Sequence, residues 1–186
     1  MIRITTLLWI VLLCGCAGQS IEPNYYLLRS DQDPDTRKLQ VMPDIALGTV
    51  SVAPYLDQPG LVLETKEGEL RSANYHLWAE PLYEGARLFM LTELSRELGQ
   101  DIVPWDLKKD ASRLDIRIDQ FHGTASGDVT LVAYWWLHDG DKTSGSYQFA
   151  EKQPLDADGY PAMAQAQKQL LEALAEKIAE TLVEPD

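Results

Sequence analysis

The only two cysteines of the 186-residue chain, Cys14 and Cys16, stand at the end of a short apolar run near the N-terminus. Arg3 supplies a positive charge before the run, residues 4 to 13 carry no charge, and the small residue Gly15 precedes Cys16. A basic start, a short apolar segment and a small-residue cleavage site are typical of a secretory signal. The run is shorter than the ~20 apolar residues that a membrane-spanning helix needs. The pattern therefore predicts a signal peptide over residues 1–15.

The four residues 13–16, Leu-Cys-Gly-Cys, resemble the lipobox of bacterial lipoproteins. This resemblance implies that Cys16 becomes the mature N-terminus and carries lipid. It also implies that Ala17, where an aspartate would favour inner-membrane retention, directs the protein to the outer membrane. Two alternatives remain, an uncleaved membrane anchor and a plain secretory signal in which Cys16 is incidental. Residues 16–24 then form a lipidated tether, whose eight residues after Cys16 reach at most ~25–30 Å when extended.

The charge of the chain limits its partners. Removal of residues 1–15, which include one basic side chain, changes the net charge from −13 to −14 and leaves 171 residues. That length is enough for one domain, which we expect over 25–186. Such a charge disfavours nucleic acid and electrostatic adhesion to anionic lipid headgroups. Membrane attachment therefore depends on acyl chains, each contributing ~0.8 kcal/mol per buried methylene.

Other residues that could do chemistry do not form a recognisable site. His76, His122 and His138 lie far apart in sequence, without the spacing of metal ligands. The acidic residues of the loop over 30–38 lack the glycine and closing glutamate of a calcium loop. No nucleophile elbow or phosphate-binding glycine loop is present. We therefore expect no enzyme activity, no metal and no cofactor, although carboxylates brought together by the fold could still form an acid/base pair.

The aromatic side chains are a better indication of function. In the apolar stretch over 129–137, Trp135 and Trp136 must point to opposite faces of a strand. We expect Trp135 in the core, whereas Trp136 fits a core or an interface position equally well. An exposed Trp136 would indicate a partner or an oligomer, since tryptophan and tyrosine dominate binding energy.

Apolar periodicity and turn residues predict an α+β fold. We expect a single two-layer sandwich, with a mixed or antiparallel sheet of about five strands and two helices on one face. The first helix should begin with Pro81 at its first position and end before Gly99. Its predicted apolar stripe comprises Tyr83, Met90, Leu91, Leu94 and Leu98. The segments with strand character are 25–28, 47–53, 61–65, 69–75, 113–121, 129–137 and 143–151, and those with helix character are 81–98 and 161–182.

Several motifs together resemble the ABC-type transport auxiliary lipoproteins. The most specific are Pro54-Tyr55-Leu56-Asp57 and the run from Trp78 to Leu82. The weaker ones are Tyr25-Tyr26-x-Leu28, Leu114-x-Ile116-x-Ile118-x-x-Phe121-x-Gly123 and Gly127-x-Val129-x-Leu131. The resemblance implies an anticodon-binding-like sandwich, similar to the N-terminal domain of TolB. Our candidate partner-binding residues are Tyr55, Leu56 and Trp136.

The same resemblance implies a non-enzymatic role beside MCE-domain proteins, which form tunnels or rings that move lipids between the inner and outer membranes. The expected partners are an MCE-domain protein and its inner-membrane transporter component. The predicted protein is anchored in the outer membrane, faces the periplasm and supports envelope integrity. A homo-oligomer is a further expectation. Alternatives are a periplasmic phospholipid carrier, which would need an apolar cavity of ~300–1,000 Å³, and an accessory lipoprotein of outer-membrane assembly.

Overall fold

A computed structural model describes residues 21–30, 38–41, 44–66 and 68–183. The predicted signal peptide, Cys16, the tether as far as residue 20 and the acidic loop over 31–37 lie outside this part. The described residues form a mixed seven-stranded sheet and two helices, as an α+β fold requires. The elements are β1 (Asn24–Tyr26), β2 (Ile45–Val52), β3 (Gly60–Lys66), β4 (Glu69–Trp78), α1 (Leu82–Leu98), β5 (Ser112–Thr124), β6 (Asp128–Asp139), β7 (Lys142–Pro154) and α2 (Tyr160–Val183).

The prediction of about five strands was wrong, because all seven segments with strand character join one sheet, including the three-residue β1. The strand order is β1-β4-β3-β5-β6-β7, and β2 also pairs with β5. Strands β2 and β3 run parallel to β5 and pair with different stretches of it, β2 with Ser112 to Ile118 and β3 with Gly123 and Thr124. At one end of the order, the three-residue β1 pairs in parallel with β4.

Glycine turns connect the antiparallel pairs of β5, β6 and β7. Gly140, with φ of 57°, makes the turn between β6 and β7, and Gly127, with φ of 86°, makes the turn between β5 and β6. Glycine adopts such positive φ angles without the steric cost that a Cβ atom brings. Both turns hold long strands in register, and β6 consequently has hydrogen-bonded neighbours on both sides.

The start of α1 differs from the prediction by one position. Pro81 has φ of −52° and ψ of 131°, so it lies just outside the helix, and its carbonyl accepts hydrogen bonds from the backbone N–H groups of Glu84 and Gly85. The predicted end is confirmed, since Gly99 adopts the left-handed conformation at the C-terminus.

The buried face of α1 also differs from the predicted stripe. Met90 and Leu94 are buried as expected, but Tyr83 is exposed, and Leu91 and Leu98 are only partly buried. The face that packs inward comprises Leu82, Gly85, Ala86, Phe89, Met90, Glu93 and Leu94. The observed buried face is therefore rotated about the helix axis relative to the predicted stripe, and it includes Phe89.

The core lies between the sheet and the two helices, which also pack against each other. Residues of β5 and β6 point into it, among them Ile116, Ile118 and Phe121 of β5 and Leu131 and Trp135 of β6. From α2, the buried positions include Leu170, Leu171, Leu174 and Ile178. The opposite face of β5 and β6 therefore remains for contacts outside the core.

Candidate partner-binding surface

Two neighbouring tryptophans of β6 have opposite environments. Trp135 is 1% exposed, stacks on Tyr147 with ring centroids 5.3 Å apart, and donates a hydrogen bond from Nε1 to Thr181 Oγ1 of α2 at 3.3 Å. Trp136 points to the other face, is half-buried, and stacks beside Tyr134 with centroids 6.4 Å apart. Trp135 is therefore a core residue, as predicted, whereas Trp136 contributes to the surface.

The aromatic pair of Tyr134 and Trp136 lies between polar rows. On β5, Asp115 is opposite Trp136 and Arg117 is opposite Tyr134, and on β7 the opposite residues are Ser146 and Gln148. Asp115 itself is held by Arg113 at 3.0 Å and by His138 at 3.3 Å. An amphipathic aromatic pair surrounded by polar groups has the composition of a small protein-binding site, in which rigid rings supply contact area.

The second candidate residue, Tyr55, lies farther along the same face. Its hydroxyl is 3.3 Å from His122 Nδ1, and His122 is paired across the sheet with Thr130 of β6. Trp136 lies six positions beyond Thr130, which corresponds to roughly 20 Å along a strand. The structure therefore places Tyr55 and Trp136 on one face of the sheet without bringing them into contact.

Leu56 has to be removed from the candidate residues. Its side chain is 1% exposed and belongs to the core, because the 3₁₀ turn Pro54–Leu56 directs Leu56 inward and leaves Tyr55 half-buried. Leu56 is too deeply buried to touch a partner in this conformation. The partner-binding roles of Tyr55 and Trp136 remain predictions.

A polar cluster around His122 escaped the sequence reasoning. His122 is 6% exposed, and its Nε2 atom lies 3.7 Å from the Glu64 carboxylate of β3. Burial lowers the pKa of His122, although Glu64 opposes that shift, and burial also raises the pKa of Tyr55. The hydroxyl, imidazole and carboxylate form a short chain of polar groups that holds the 3₁₀ turn against the sheet.

The two most specific motifs meet at a cleft of about 340 Å³. The backbone N–H of Trp78 donates a hydrogen bond to the carbonyl of Pro59 at 2.7 Å. This bond holds the motif that begins at Trp78 against the residues that follow the Pro54–Asp57 motif. The cleft is lined by Asp57, Gln58, Pro59, Trp78, Glu80 and Pro81. The sequence identifies the two motifs that line this cleft, and the fold shows that they lie next to each other.

Trp78 and Glu80 of the Trp78–Leu82 motif have structural roles. Trp78 is buried and stacks on Phe121 with ring centroids 6.3 Å apart. Glu80 forms an ion pair with Arg29, whose guanidinium lowers the pKa of the Glu80 carboxyl through hydrogen bonding. These contacts explain the residue types of the motif through folding, without requiring them to bind a partner.

Within the described ranges, no group of three or more histidine, cysteine, aspartate or glutamate side chains could hold a metal ion. The buried carboxylates there have partners, since Glu93 lies 2.6 Å from Arg96 and Asp101 accepts a hydrogen bond from the backbone N–H of Gln40. In the same part of the chain, no helix is long and apolar enough to cross a membrane.

Comparison with known proteins agrees with the resemblance drawn from the motifs. The chain is 29% identical over 160 residues to the intermembrane transport lipoprotein PqiC of Escherichia coli strain K12, and equally to that of Shigella flexneri, covering 81% of each chain. A crystal structure of an uncharacterised protein matches with a TM-score of 0.76 and 25% identity, over 87% of this chain and 99% of its own. A Xanthomonas campestris protein shares the fold, with a TM-score of 0.70 and 21% identity over 86% and 95% of the two chains.

The family comparison covers nearly the same region as the described domain. The profile of the ABC-type transport auxiliary lipoprotein component matches residues 26–179, which include all the strands and helices from β2 to β7 and most of α2. The match includes the motif runs at Pro54 and Trp78. The chain therefore belongs to the family of ABC-type transport auxiliary lipoprotein components.

Proposed function

We propose that this protein is a non-enzymatic lipoprotein of the outer membrane that receives an MCE assembly rooted in the inner membrane. In this role it serves intermembrane lipid transport and supports envelope integrity. The family match over residues 26–179 carries the proposal, together with the PqiC relatives, which are named as intermembrane transport lipoproteins.

The proposed anchor is lipid on Cys16. Strand β1 begins at Asn24, so only seven residues separate Cys16 from the folded domain. An extended chain of this length reaches at most ~25–30 Å. A domain on so short a tether stays at its own membrane, and a partner rooted in the opposite membrane has to reach it.

The proposed docking surface is the sheet face that carries Tyr134 and Trp136. These rings are half-buried and lie opposite the face on which the helices pack. Charged residues of β5 flank them, which would orient a partner while the rings provide apolar contact. Tyr55 extends the same face and marks its far end.

Photocrosslinking tests this docking surface directly. In the full-length acylated protein, a photoreactive phenylalanine analogue replaces Trp136, and a second version carries it at Leu107, which is 78% exposed but lies outside the sheet. After irradiation in cells, mass spectrometry should identify an MCE-domain protein on the Trp136 version and not on the Leu107 version. Equal yields of the crosslinked MCE-domain protein from positions 136 and 107 would contradict docking at Trp136.

A detergent pull-down of the acylated protein tests the partner independently of the surface. Recovery of an MCE-domain protein, with or without its transporter component, would support the proposal. Recovery of phospholipid alone would instead favour the carrier alternative. Self-association also belongs to the proposal, because a ring-shaped partner favours a ring-shaped receptor, and light scattering of the purified protein would measure it.

A further inference from the structure

Four large apolar or aromatic side chains are exposed at the edge of the sheet formed by β1. The exposed fractions are 63% for Ile21, 63% for Tyr25, 59% for Leu27 and 44% for Tyr75. Tyr25 is paired with Leu77 of β4, so Tyr75, two residues earlier on β4, lies on the same face as Tyr25. Ile21 and Tyr75 also line one open groove of about 550 Å³. We call these four residues the tether-side surface.

The segment that presents this surface is firmly held. The Tyr26 hydroxyl and His76 Nδ1 share a hydrogen bond of 2.8 Å. Leu28 is 3% exposed and belongs to the core. Tyr25 and Leu27 alternate with these two inward-facing residues and therefore point outward. Their exposure results from the conformation of a fixed strand, so a surface of defined shape is available at this edge.

Chain length places this surface beside the membrane. Four residues separate Cys16 from Ile21. The five Cα-to-Cα steps between them span at most ~18 Å. An acylated Cys16 lies at the bilayer surface, where the headgroup layer of one leaflet is ~5–8 Å thick. Ile21 thus stays within reach of the lipid interface, and the tether-side surface follows it.

We propose that the tether-side surface enters the interfacial layer of the same membrane that holds the acyl chains, and so fixes the orientation of the domain. Tyrosine suits this layer, because its ring can contact acyl chains while its hydroxyl remains hydrated. Glu22 is the single charged residue between Ile21 and Leu28. Since the mature net charge of −14 provides no attraction to anionic headgroups, apolar contact is the interaction that remains. This inference rests on the proposed acylation of Cys16.

Single thiols can report this contact. Cys14 is lost with the signal and Cys16 is alkylated, so a newly introduced cysteine is the only free thiol of the mature protein. The variants Tyr25→Cys and Leu27→Cys probe the surface, and Leu107→Cys is a matched control, since Leu107 is an exposed apolar residue beyond the end of α1. Each variant carries a polarity-sensitive dye and is reconstituted into phosphatidylethanolamine–phosphatidylglycerol vesicles.

The expected result is a blue-shifted emission and several-fold weaker iodide quenching at positions 25 and 27 than at position 107. Equal quenching at the three positions, in protein that floats with the vesicles, would overturn the inference. Shielding that rises with the protein-to-lipid ratio would also overturn it, because the surface would then contact a second copy of the chain. Failure of the wild-type protein to float would instead refute the anchor in the proposed function.

Discussion

Arg29 and Glu80 form a two-pronged ion pair across 51 positions of the sequence. One of its hydrogen bonds, from Arg29 Nη2 to Glu80 Oε2, measures 2.9 Å. The pair joins the segment that follows β1 to the turn that precedes α1. It also gives the glutamate of the Trp78–Leu82 motif a structural role beside the cleft.

Replacement of Glu80 by glutamine should destabilise the protein by about 1 kcal/mol at neutral pH. Charge-assisted hydrogen bonds contribute about 1.5–3 kcal/mol, but the Arg29 side chain is 40% exposed, and solvent screens the pair. Hydrogen bonding to Arg29 lowers the pKa of Glu80 below its usual 4.5. The ion pair therefore contributes its full stabilisation at pH values above 4.5. This stabilisation is lost as the pH falls through the lowered pKa of Glu80.

Urea unfolding of the wild type and Glu80→Gln over a range of pH checks this expectation. The difference in unfolding free energy between the two proteins should shrink on acidification below the usual glutamate pKa. A difference that stays constant with pH would show that the charge of Glu80 does not stabilise the fold.

His122 should make stability depend on pH in a higher range. Burial lowers the pKa of His122 from its usual 6.5, so the folded protein resists protonation that the unfolded chain accepts. The corresponding stabilisation is complete above that value and is lost as the pH falls through the lowered pKa. Between neutral pH and about pH 5, the wild type should lose more stability than His122→Gln, which retains a hydrogen-bonding side chain for Tyr55 but cannot titrate. Similar losses in the two proteins would contradict this role.

The two neighbouring tryptophans should respond differently to the same substitution. Trp135→Ala removes a core ring and should cost about 3–5 kcal/mol of folding stability. Trp136→Ala removes a half-buried surface ring and should leave the fold intact, while weakening partner binding by about 2 kcal/mol if the ring is central to the interface. Thermal unfolding and a binding titration measure the two effects. Loss of folding in Trp136→Ala would assign that residue to the core.

The long elements were predictable because their patterns persist over many residues. Strand β5 alternates Leu114, Ile116 and Ile118 with charged residues, and only a half-exposed strand satisfies that pattern. The end of α1 at Gly99 and the turn at Gly140 follow from the ease with which glycine adopts positive φ. Here local preference and tertiary structure agree.

The orientation of α1 was not predictable, because a charged residue occupies a core position. Glu93 is completely buried and lies 2.6 Å from Arg96, whereas Tyr83 is 39% exposed. A prediction from periodicity places the Glu93 carboxylate in solvent and the Tyr83 ring in the core. The predicted buried face of α1 is therefore rotated away from the observed one. The neighbouring guanidinium of Arg96 compensates the charge of the buried carboxylate.

The candidate surface depended on contacts that sequence spacing does not contain. Tyr55 and His122 are 67 positions apart and meet only because β3 and the preceding 3₁₀ turn lie beside the end of β5. Leu56 and Tyr55 belong to one motif, yet the turn sends one inward and leaves the other partly exposed. The motif identified the segment, and the backbone conformation decided which side chain reaches the surface.

Replacing Leu56 by alanine should therefore affect folding rather than binding. Truncation of a buried leucine costs about 2–5 kcal/mol, whereas Tyr55→Phe removes only the hydroxyl that contacts His122 and should cost about 1 kcal/mol. Chemical unfolding of both variants measures these values. A stable Leu56→Ala protein that has lost its partner would restore Leu56 to the binding surface.

If Cys16 carries lipid as proposed, the residue at position 17 should determine the membrane that holds the protein. We expect Cys16→Ala to release the protein from membranes, and Ala17→Asp to move the acylated protein towards the inner-membrane fraction. Density-gradient fractionation with marker proteins measures both changes. Membrane retention of Cys16→Ala would indicate an uncleaved anchor, and Ala17→Ser serves as a control with another small residue.

The three-residue strand β1 also has a mechanical consequence. If the domain is held by lipid at one end and by a partner on the sheet, any pulling force between the two membranes enters the fold through β1. That force meets the short parallel pairing with β4, then the contact of Tyr26 with His76, and then the ion pair of Arg29 with Glu80. Detachment of β1 would lengthen the tether while β5 and β6 stay intact, so the edge strand would act as an extensible link that protects the core from load.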